Sequence, residues 1–224
     1  MFDVLEVSPA FDGLIEPRKK RKKKTGDIPL DFGFYTFPLD EEGEPREPTA
    51  KDFKNYNKKK IEKAIRKKTK KKKHIIHGAR AVNKQVTPKY RRATKDYDVW
   101  AGHPAQQADD LEDELDELVG CDMFYERTLT MPDSLTGRQK QVHQVVSRKT
   151  GKEVTDYTSR PPRASFVNIT GFRYESLDHA QMTKEAILRD AQNPFSQLSE
   201  KRIKKTKRDL NRIKRYKKSR RKKK

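Results

Sequence analysis

The stretch 78–100 constrains the fold of this chain more than any other part of the sequence. A short apolar run at 74–77 predicts a buried strand that is followed at once by a glycine. A second strand is predicted at Tyr97–Ala101, with Asp96 just before it and Asp98 within it. Because side chains alternate along a strand, residues two apart leave the same face, so we expect these two carboxylates to point the same way.

The chemistry of this pattern is that of a site that handles phosphate. Two carboxylates that point at one place repel each other and are costly unless a cation lies between them. Carboxylate oxygens suit Mg²⁺, which also bridges the phosphates of a substrate. A glycine directly before a helix leaves backbone amides free for an anion. A solvated strand end is the alternative interpretation, because a D-x-D pair is common by itself.

The positive charge of the chain is concentrated in three segments. The net charge of the 224 residues is +21, and segments 18–24, 51–73 and 201–224 carry +7, +11 and +15, which leaves −12 for the rest. This distribution predicts an acidic folded unit with basic arms. We expect the three segments to bind nucleic acid or another polyanion, with strong salt dependence and little sequence preference.

Other features limit the class of protein. Cys121 is the only cysteine, so the chain has neither a disulfide framework nor a cysteine-based zinc site. The first 20 residues lack the apolar core of a signal peptide, and no apolar run approaches 18 residues. We therefore expect a protein that is neither secreted nor bound in a membrane, located in the nucleus or cytoplasm or packaged in a virion.

Hydrophobic periodicity and turn residues predict an α+β chain. Helices are expected at about 51–70, 79–86, 104–119 and 177–191, followed by a basic helix that begins near 201. Strands are expected at 74–77, 97–101, 121–129, 139–147, 153–158 and 164–169. We divide the chain into an extended Pro/Lys-rich arm over 1–50, a domain over 51–200, and a basic helix and tail over 201–224.

Two motifs carry a resemblance to a known family. Gly78-Ala79-Arg80-Ala81 is followed by Arg92-Ala93-Thr94-Lys95-Asp96-Tyr97-Asp98. These segments resemble the nucleotidyltransferase fold superfamily, and among its members the minimal transferases of the abortive-infection toxin type, including viral or virion-associated forms. The resemblance implies a mixed sheet with flanking helices, to which this chain adds extended basic N- and C-terminal arms.

The resemblance also implies roles for particular residues. Asp96 and Asp98 would hold Mg²⁺, with Asp156 as a further ligand and as the base for the attacking hydroxyl. A nucleoside triphosphate would be bound through the residues that match the family's glycine turn and its lysine-bearing helix, which are Gly78, Ala79, Arg80 and Lys184. The segment Arg208-Asp209-Leu210 is similar to a later lysine–aspartate–hydrophobic signature of the family.

One residue departs from the family pattern. Ala79 stands where a glycine or serine is usual, and a serine hydroxyl there would bond to the triphosphate. Arg80, beside it, offers a guanidinium that pairs well with phosphate. The sequence thus leaves open whether the chain is an enzyme.

Two functions from different classes follow. The first is a Mg²⁺-dependent nucleotidyltransferase that acts on or binds RNA or another nucleic acid. The second is a non-catalytic component of a large assembly, such as a minor structural protein of a virion or a ribonucleoprotein subunit, that retains the fold and meets its assembly partners through 1–50. Convergence of the three aspartates in an open cleft would favour the first.

Overall fold

The computed structural model describes residues 46–94, 96–133, 138–193 and 198–221, all of which belong to one compact unit, Tyr35–Lys224. The predicted basic segment 18–24 and nearly all of the predicted arm over 1–50 lie outside the described residues. No helix among the described residues is long and apolar enough to cross a membrane.

Helices and strands are mixed along the described chain, as the sequence predicts. The helices are α1 Ala50–Asn55, α2 Lys58–Lys71, α3 Gly78–Gln85, α4 Pro104–Val119, α5 Leu177–Asp190 and α6 Glu200–Arg221, with a short 3₁₀ turn at Pro88–Tyr90. The strands are β1 Ile75–His77, β2 Tyr97–Ala101, β3 Phe124–Pro132, β4 Gln139–Ser147, β5 Lys152–Ser159, β6 Phe166–Ile169 and β7 Phe172–Glu175.

The strands form one mixed sheet in the order β3-β4-β5-β2-β1-β7-β6. The neighbours β2 and β5 are parallel, as are β1 and β7, and the other four pairs are antiparallel. Together with the flanking helices, this sheet confirms the predicted fold class, an α+β nucleotidyltransferase-like fold.

The main core lies between the sheet and two helices. Ile61 and Ile65 of α2 and Leu111 of α4 are buried against Val99 and Tyr157 of the sheet. A second apolar cluster joins α3, α5 and α6 through Val82, Ala180, Leu177, Ile213 and Tyr216. The lysine-rich α6 is therefore packed against the other helices along one apolar stripe.

Local signals explain most element ends. Thr49 caps α1 in a reciprocal capping box with Asp52. The structure has two helices where one is predicted at 51–70, because the Asn57 side chain accepts hydrogen bonds from the amides of Lys59 and Lys60 and so starts a new helix. Gly120 ends α4 in the left-handed conformation, with φ of 75°.

Strand β7 is the element that the sequence prediction lacks. Its four residues, Phe172–Glu175, lie between the predicted strand at 164–169 and the predicted helix at 177–191. In the structure they pair with β1 on one side and β6 on the other. Four residues are too few for a period to be recognised in the sequence, and the long-range pairing defines the strand.

Candidate active site at the glycine turn

The glycine turn lies where β1 ends and α3 begins. Gly78 has φ of 65°, a conformation that residues with a side chain rarely adopt. A Cβ atom placed on Gly78 would lie 2.2 Å from Oδ2 of Asp98 and 3.0 Å from its Cγ. Both the backbone conformation and the space thus require glycine, and the turn and Asp98 form one site.

Two of the predicted carboxylates lie side by side on neighbouring strands. Asp98 of β2 is in register with Asp156 of the parallel strand β5, and it pairs with His77 of β1 on its other side. Residues in register on adjacent strands leave the same face of the sheet, with backbones about 4.8 Å apart. Both aspartates are partly exposed, so this face is accessible from solvent.

Both carboxylates titrate above the ordinary aspartate range. Burial raises the pKa of Asp98 to about 6, Asp96 adds to the rise, and Lys184 and Lys205 partly oppose it. Burial and the neighbouring Asp98 raise the pKa of Asp156 to about 7. The negative charge at this point of the sheet is therefore only partly compensated by the described residues around it.

A chain of hydrogen bonds orients Asp156. Its Oδ1 accepts a bond of 3.0 Å from Nε2 of Gln144 on β4. The Gln144 Oε1 in turn accepts bonds of 2.6 and 3.1 Å from the guanidinium of Arg127 on β3. Since each partner lies on the next strand, the sheet itself sets the direction of the Asp156 side chain.

Asp96 lies just before β2 and has its own partners. Its Oδ1 accepts a 2.7 Å bond from Oγ1 of Thr94. Burial by itself raises the pKa of Asp96, but the bonds from Thr94 and from its own amide, with the charges of Lys205 and Arg80, lower that pKa overall. Among the described residues, the carboxylate oxygens of Asp96, Asp98 and Asp156 do not all come within 4.8 Å of one another.

The other predicted nucleotide-binding residues take different positions. Arg80 donates from Nε to the backbone oxygen of Asp96 at 2.6 Å, and its guanidinium lies 3.6 Å above the ring of Tyr97 and 3.5 Å from Oε1 of Glu62. Ala79 is buried. Lys184 of α5 is partly buried, and its positive charge lowers the pKa of Asp98.

A carboxylate that the sequence did not predict as a site residue lies at the glycine turn. The Gly78 amide donates a 3.0 Å bond to Oε2 of Glu175, at the end of β7. The other oxygen of Glu175 lies 2.7 Å from Nδ1 of His179, and both side chains are buried. Only the i, i+4 spacing of Glu175 and His179 could have suggested this pair from the sequence. The backbone amide at the start of α3 thus already donates its hydrogen bond to a carboxylate of the same chain.

Aromatic rings form one wall beside the turn. The His77 ring stacks on Trp100 with centroids 4.7 Å apart, and Trp100 meets His179 edge to face at 5.3 Å. Burial, with the nearby charges of Lys140 and Lys184, holds the pKa of His77 well below its ordinary value. A neutral imidazole stacked on an indole gives this wall an apolar character.

The segment that leads into the aspartate pair contacts helix α6 through an ion pair. Nε and Nη2 of Arg92 donate to the two oxygens of Asp209 on α6 at 3.0 and 3.3 Å. Arg212 donates to the same carboxylate at 3.1 Å. Asp209 is 3% exposed, so its charge depends on these two guanidinium groups. The contact ties α6 to the loop that leads into the aspartate pair.

A second acidic cluster lies elsewhere in the described structure, where α4 leads into β3. Glu112, Asp116 and Asp122 each offer an oxygen, and these oxygens lie within 4.8 Å of one another, so a single metal ion could bind all three. Burial raises the pKa of Glu112 to about 7 and that of Asp116 to about 8. Asp116 also accepts two backbone bonds, and Asp122 pairs with Arg148. These bonds give the cluster a structural role in closing the α4–β3 turn.

The sheet order and flanking helices define a nucleotidyltransferase-like fold. A solved structure with this fold is the polyadenylate synthase of Megavirus, which superposes with a TM-score of 0.53 at 16% sequence identity. The match covers 71% of this chain and 31% of the viral enzyme, so the chain corresponds to about a third of that protein. No family model and no curated protein matches the sequence.

Proposed function

We propose that this protein is a nucleotidyltransferase that transfers a nucleotidyl group from a nucleoside triphosphate to a nucleic acid, with RNA as the acceptor. The observation that carries the proposal is the pairing of Asp98 and Asp156 on one accessible face, directly beside the glycine turn. The fold shared with a viral polyadenylate synthase is consistent with it.

The residues at this site fit a divalent cation. Asp98 and Asp156 are hard oxygen ligands on one face, and the raised pKa of each indicates a need for further positive charge. Asp96 is the third ligand in this proposal, although the oxygens of the three carboxylates do not all come within 4.8 Å of one another in the described structure. When bound, Mg²⁺ would neutralise the negative charge that phosphates bring to a carboxylate-rich site.

The chain's own groups supply the remaining chemistry. Asp156 is the carboxylate that we assign to accept the proton of an attacking hydroxyl. Gln144 holds that carboxylate in one orientation. Lys184 supplies a fixed positive charge beside Asp98 and is the residue that we assign to the triphosphate.

Incorporation of labelled nucleotides into RNA tests this proposal. We expect wild-type protein with Mg²⁺ to extend RNA, and Asp98→Asn to lose at least about a hundredfold in rate, since preorganised charge at a reacting phosphate has effects of this size. Glu117→Gln is the matched control, because it removes one carboxylate from an exposed position of α4. The proposal is contradicted if Asp98→Asn incorporates nucleotides at the wild-type rate. It is also contradicted if neither the wild type nor any variant incorporates any of the nucleotides.

A second candidate function is favoured by one contact. The Gly78 amide, which a triphosphate would need, is bonded to Glu175, and Ala79 has no hydroxyl to add. These features suit a non-catalytic component of a virion or ribonucleoprotein that keeps the fold, works inside the cell or particle, and meets its partners through 1–50. In that case Asp98→Asn would assemble normally, and neither the wild-type protein nor Asp98→Asn would incorporate nucleotides in the assay.

A further inference from the structure

Helix α2 presents a row of cations to solvent. Five of them line a groove of about 350 Å³, together with Glu62 and Phe172. We call these five the α2 basic face, which consists of Lys59, Lys63, Arg66, Lys67 and Lys70. They recur at intervals of three and four residues, so they share one side of the helix over about 16 Å of its length.

The described part of the chain offers no carboxylate within ion-pairing distance of the α2 basic face. Lys68, which points inward, pairs with Glu114, and Glu62 pairs with Arg80 instead. Helix α6 differs only in part: four of its cations pair with carboxylates of this chain, Lys204 with Glu200, Arg212 with Asp209, Lys214 with Glu185 and Lys217 with Asp178, and its other described cations have no such partner among the described residues. Five like charges held close together repel one another unless an anionic partner covers them.

The character of the groove limits what that partner can be. Its floor is Phe172, which is 9% exposed and covered by Arg66 and Lys70, so its ring is not free to stack on a base. The only large apolar side chains exposed among the described residues are Leu118 and Met182, and neither belongs to α2. A membrane anchor or a protein interface would need apolar side chains here. A chain of phosphates needs only the cations.

The α2 basic face is connected to the candidate active site. Glu62, in the middle of the groove, lies 3.5 Å from Arg80, which donates to the backbone oxygen of Asp96 at 2.6 Å. Two polar contacts thus separate the groove from the first aspartate of the pair. A nucleic-acid strand bound along α2 would therefore pass close to the candidate active site, where its end would react.

We propose that the α2 basic face binds the phosphate backbone of the acceptor nucleic acid, without reading its bases. The proposal deepens the proposed function, because it names the surface that holds the acceptor. Binding itself requires neither metal nor catalysis, and this allows the two proposals to fail separately.

The test measures binding of a fluorescein-labelled RNA of about 20 nucleotides by anisotropy, in EDTA and without nucleotide, between about 50 and 200 mM salt. The variant is Lys59→Gln/Lys63→Gln/Lys67→Gln, whose three positions are exposed and make one row. We expect its affinity to fall about tenfold or more. The slope of log affinity against log salt concentration should become shallower by about 0.7 for each phosphate contact that is lost.

The matched control removes the same charge from α6 as Lys201→Gln/Lys207→Gln/Lys218→Gln, at exposed positions. Because segment 201–224 is itself expected to bind polyanions, we expect this control to lose affinity too, but by less than about threefold, with a thermal midpoint equal to that of the first variant. Equal losses in the two variants would overturn the assignment to α2, since net charge alone would then explain binding. Unchanged affinity in both would overturn it as well. Incorporation activity is not measured here, so neither result depends on the proposed reaction.

Discussion

At the scale of single residues, the candidate site depends on how closely the backbone of the turn approaches a side chain. Gly78 places its Cα against the carboxylate of Asp98, and its amide is bonded to Glu175. Two acidic groups from different strands thus meet at one glycine. Any side chain at this position would move Asp98 away from its partner on β5.

Gly78→Ala tests this close approach. We expect it to destabilise the protein by more than the cost of about 1 kcal/mol for placing alanine at positive φ, because the new methyl group also collides with Asp98. Gly151→Ala is the control: Gly151 has φ of 60°, and a Cβ there meets no atom within 4 Å. Urea unfolding measures the free energy of unfolding of the two variants. Equal losses would show that Asp98 moves aside without a measurable loss of stability.

At the scale of helices and strands, local signals place the elements and long-range contacts join them. The predicted bounds of β2 and β4 are those of the structure, since five and nine residues of clear pattern lie between turn residues. Arg92 and Asp209, which form an ion pair, are 117 positions apart in the sequence. No periodic pattern of residues within one element could predict this contact. Helix α6 is held at the site by this contact and by its apolar stripe.

Asp209→Asn tests the attachment of α6. The change leaves the partly buried Arg92 and Arg212 without their shared carboxylate, and we expect it to cost about 2–4 kcal/mol in the free energy of unfolding. Glu200→Gln removes the partner of an exposed ion pair on the same helix and should cost less than about 0.5 kcal/mol. Denaturant unfolding followed by circular dichroism measures both. A loss for Asp209→Asn no larger than for Glu200→Gln would show that α6 is a dispensable tail.

At the scale of the whole molecule, the partly buried Asp98 and Asp156 make stability depend on pH. The pKa of Asp98 rises from 3.8 to about 6 on folding, and that of Asp156 from 3.8 to about 7. Between these values the folded protein binds more protons than the unfolded chain, so this pair stabilises the fold at low pH. That contribution decreases progressively as the pH rises above about 4, and it is fully lost once the pH exceeds the pKa of Asp156, about 7.

Asp156→Asn should remove much of this dependence. In EDTA we expect the variant to be more stable than wild type at pH 8, by a few degrees in thermal midpoint, and to show a clearly smaller gain at pH 5, where the folded Asp156 is still protonated. Glu117→Gln, at an exposed position, should show no comparable change between the two pH values. A gain that is equal at both pH values would mean that charge on Asp156 does not oppose folding.

The sequence by itself determined the class of fold, most of the elements and the concentration of cations in separate segments, because these depend on local period, turn chemistry and composition. It also placed Gly78, Asp98 and Asp156 as candidates. Only the tertiary structure decided that Asp98 and Asp156 stand in register and that Glu175 bonds to the glycine turn. It likewise decided that α6 packs on the domain and that the five cations of the α2 basic face have no ion-pair partner among the described residues, whereas Lys68 pairs with Glu114. Each of these facts is a contact between residues far apart in the chain, set by strand order and helix packing, which no local pattern encodes.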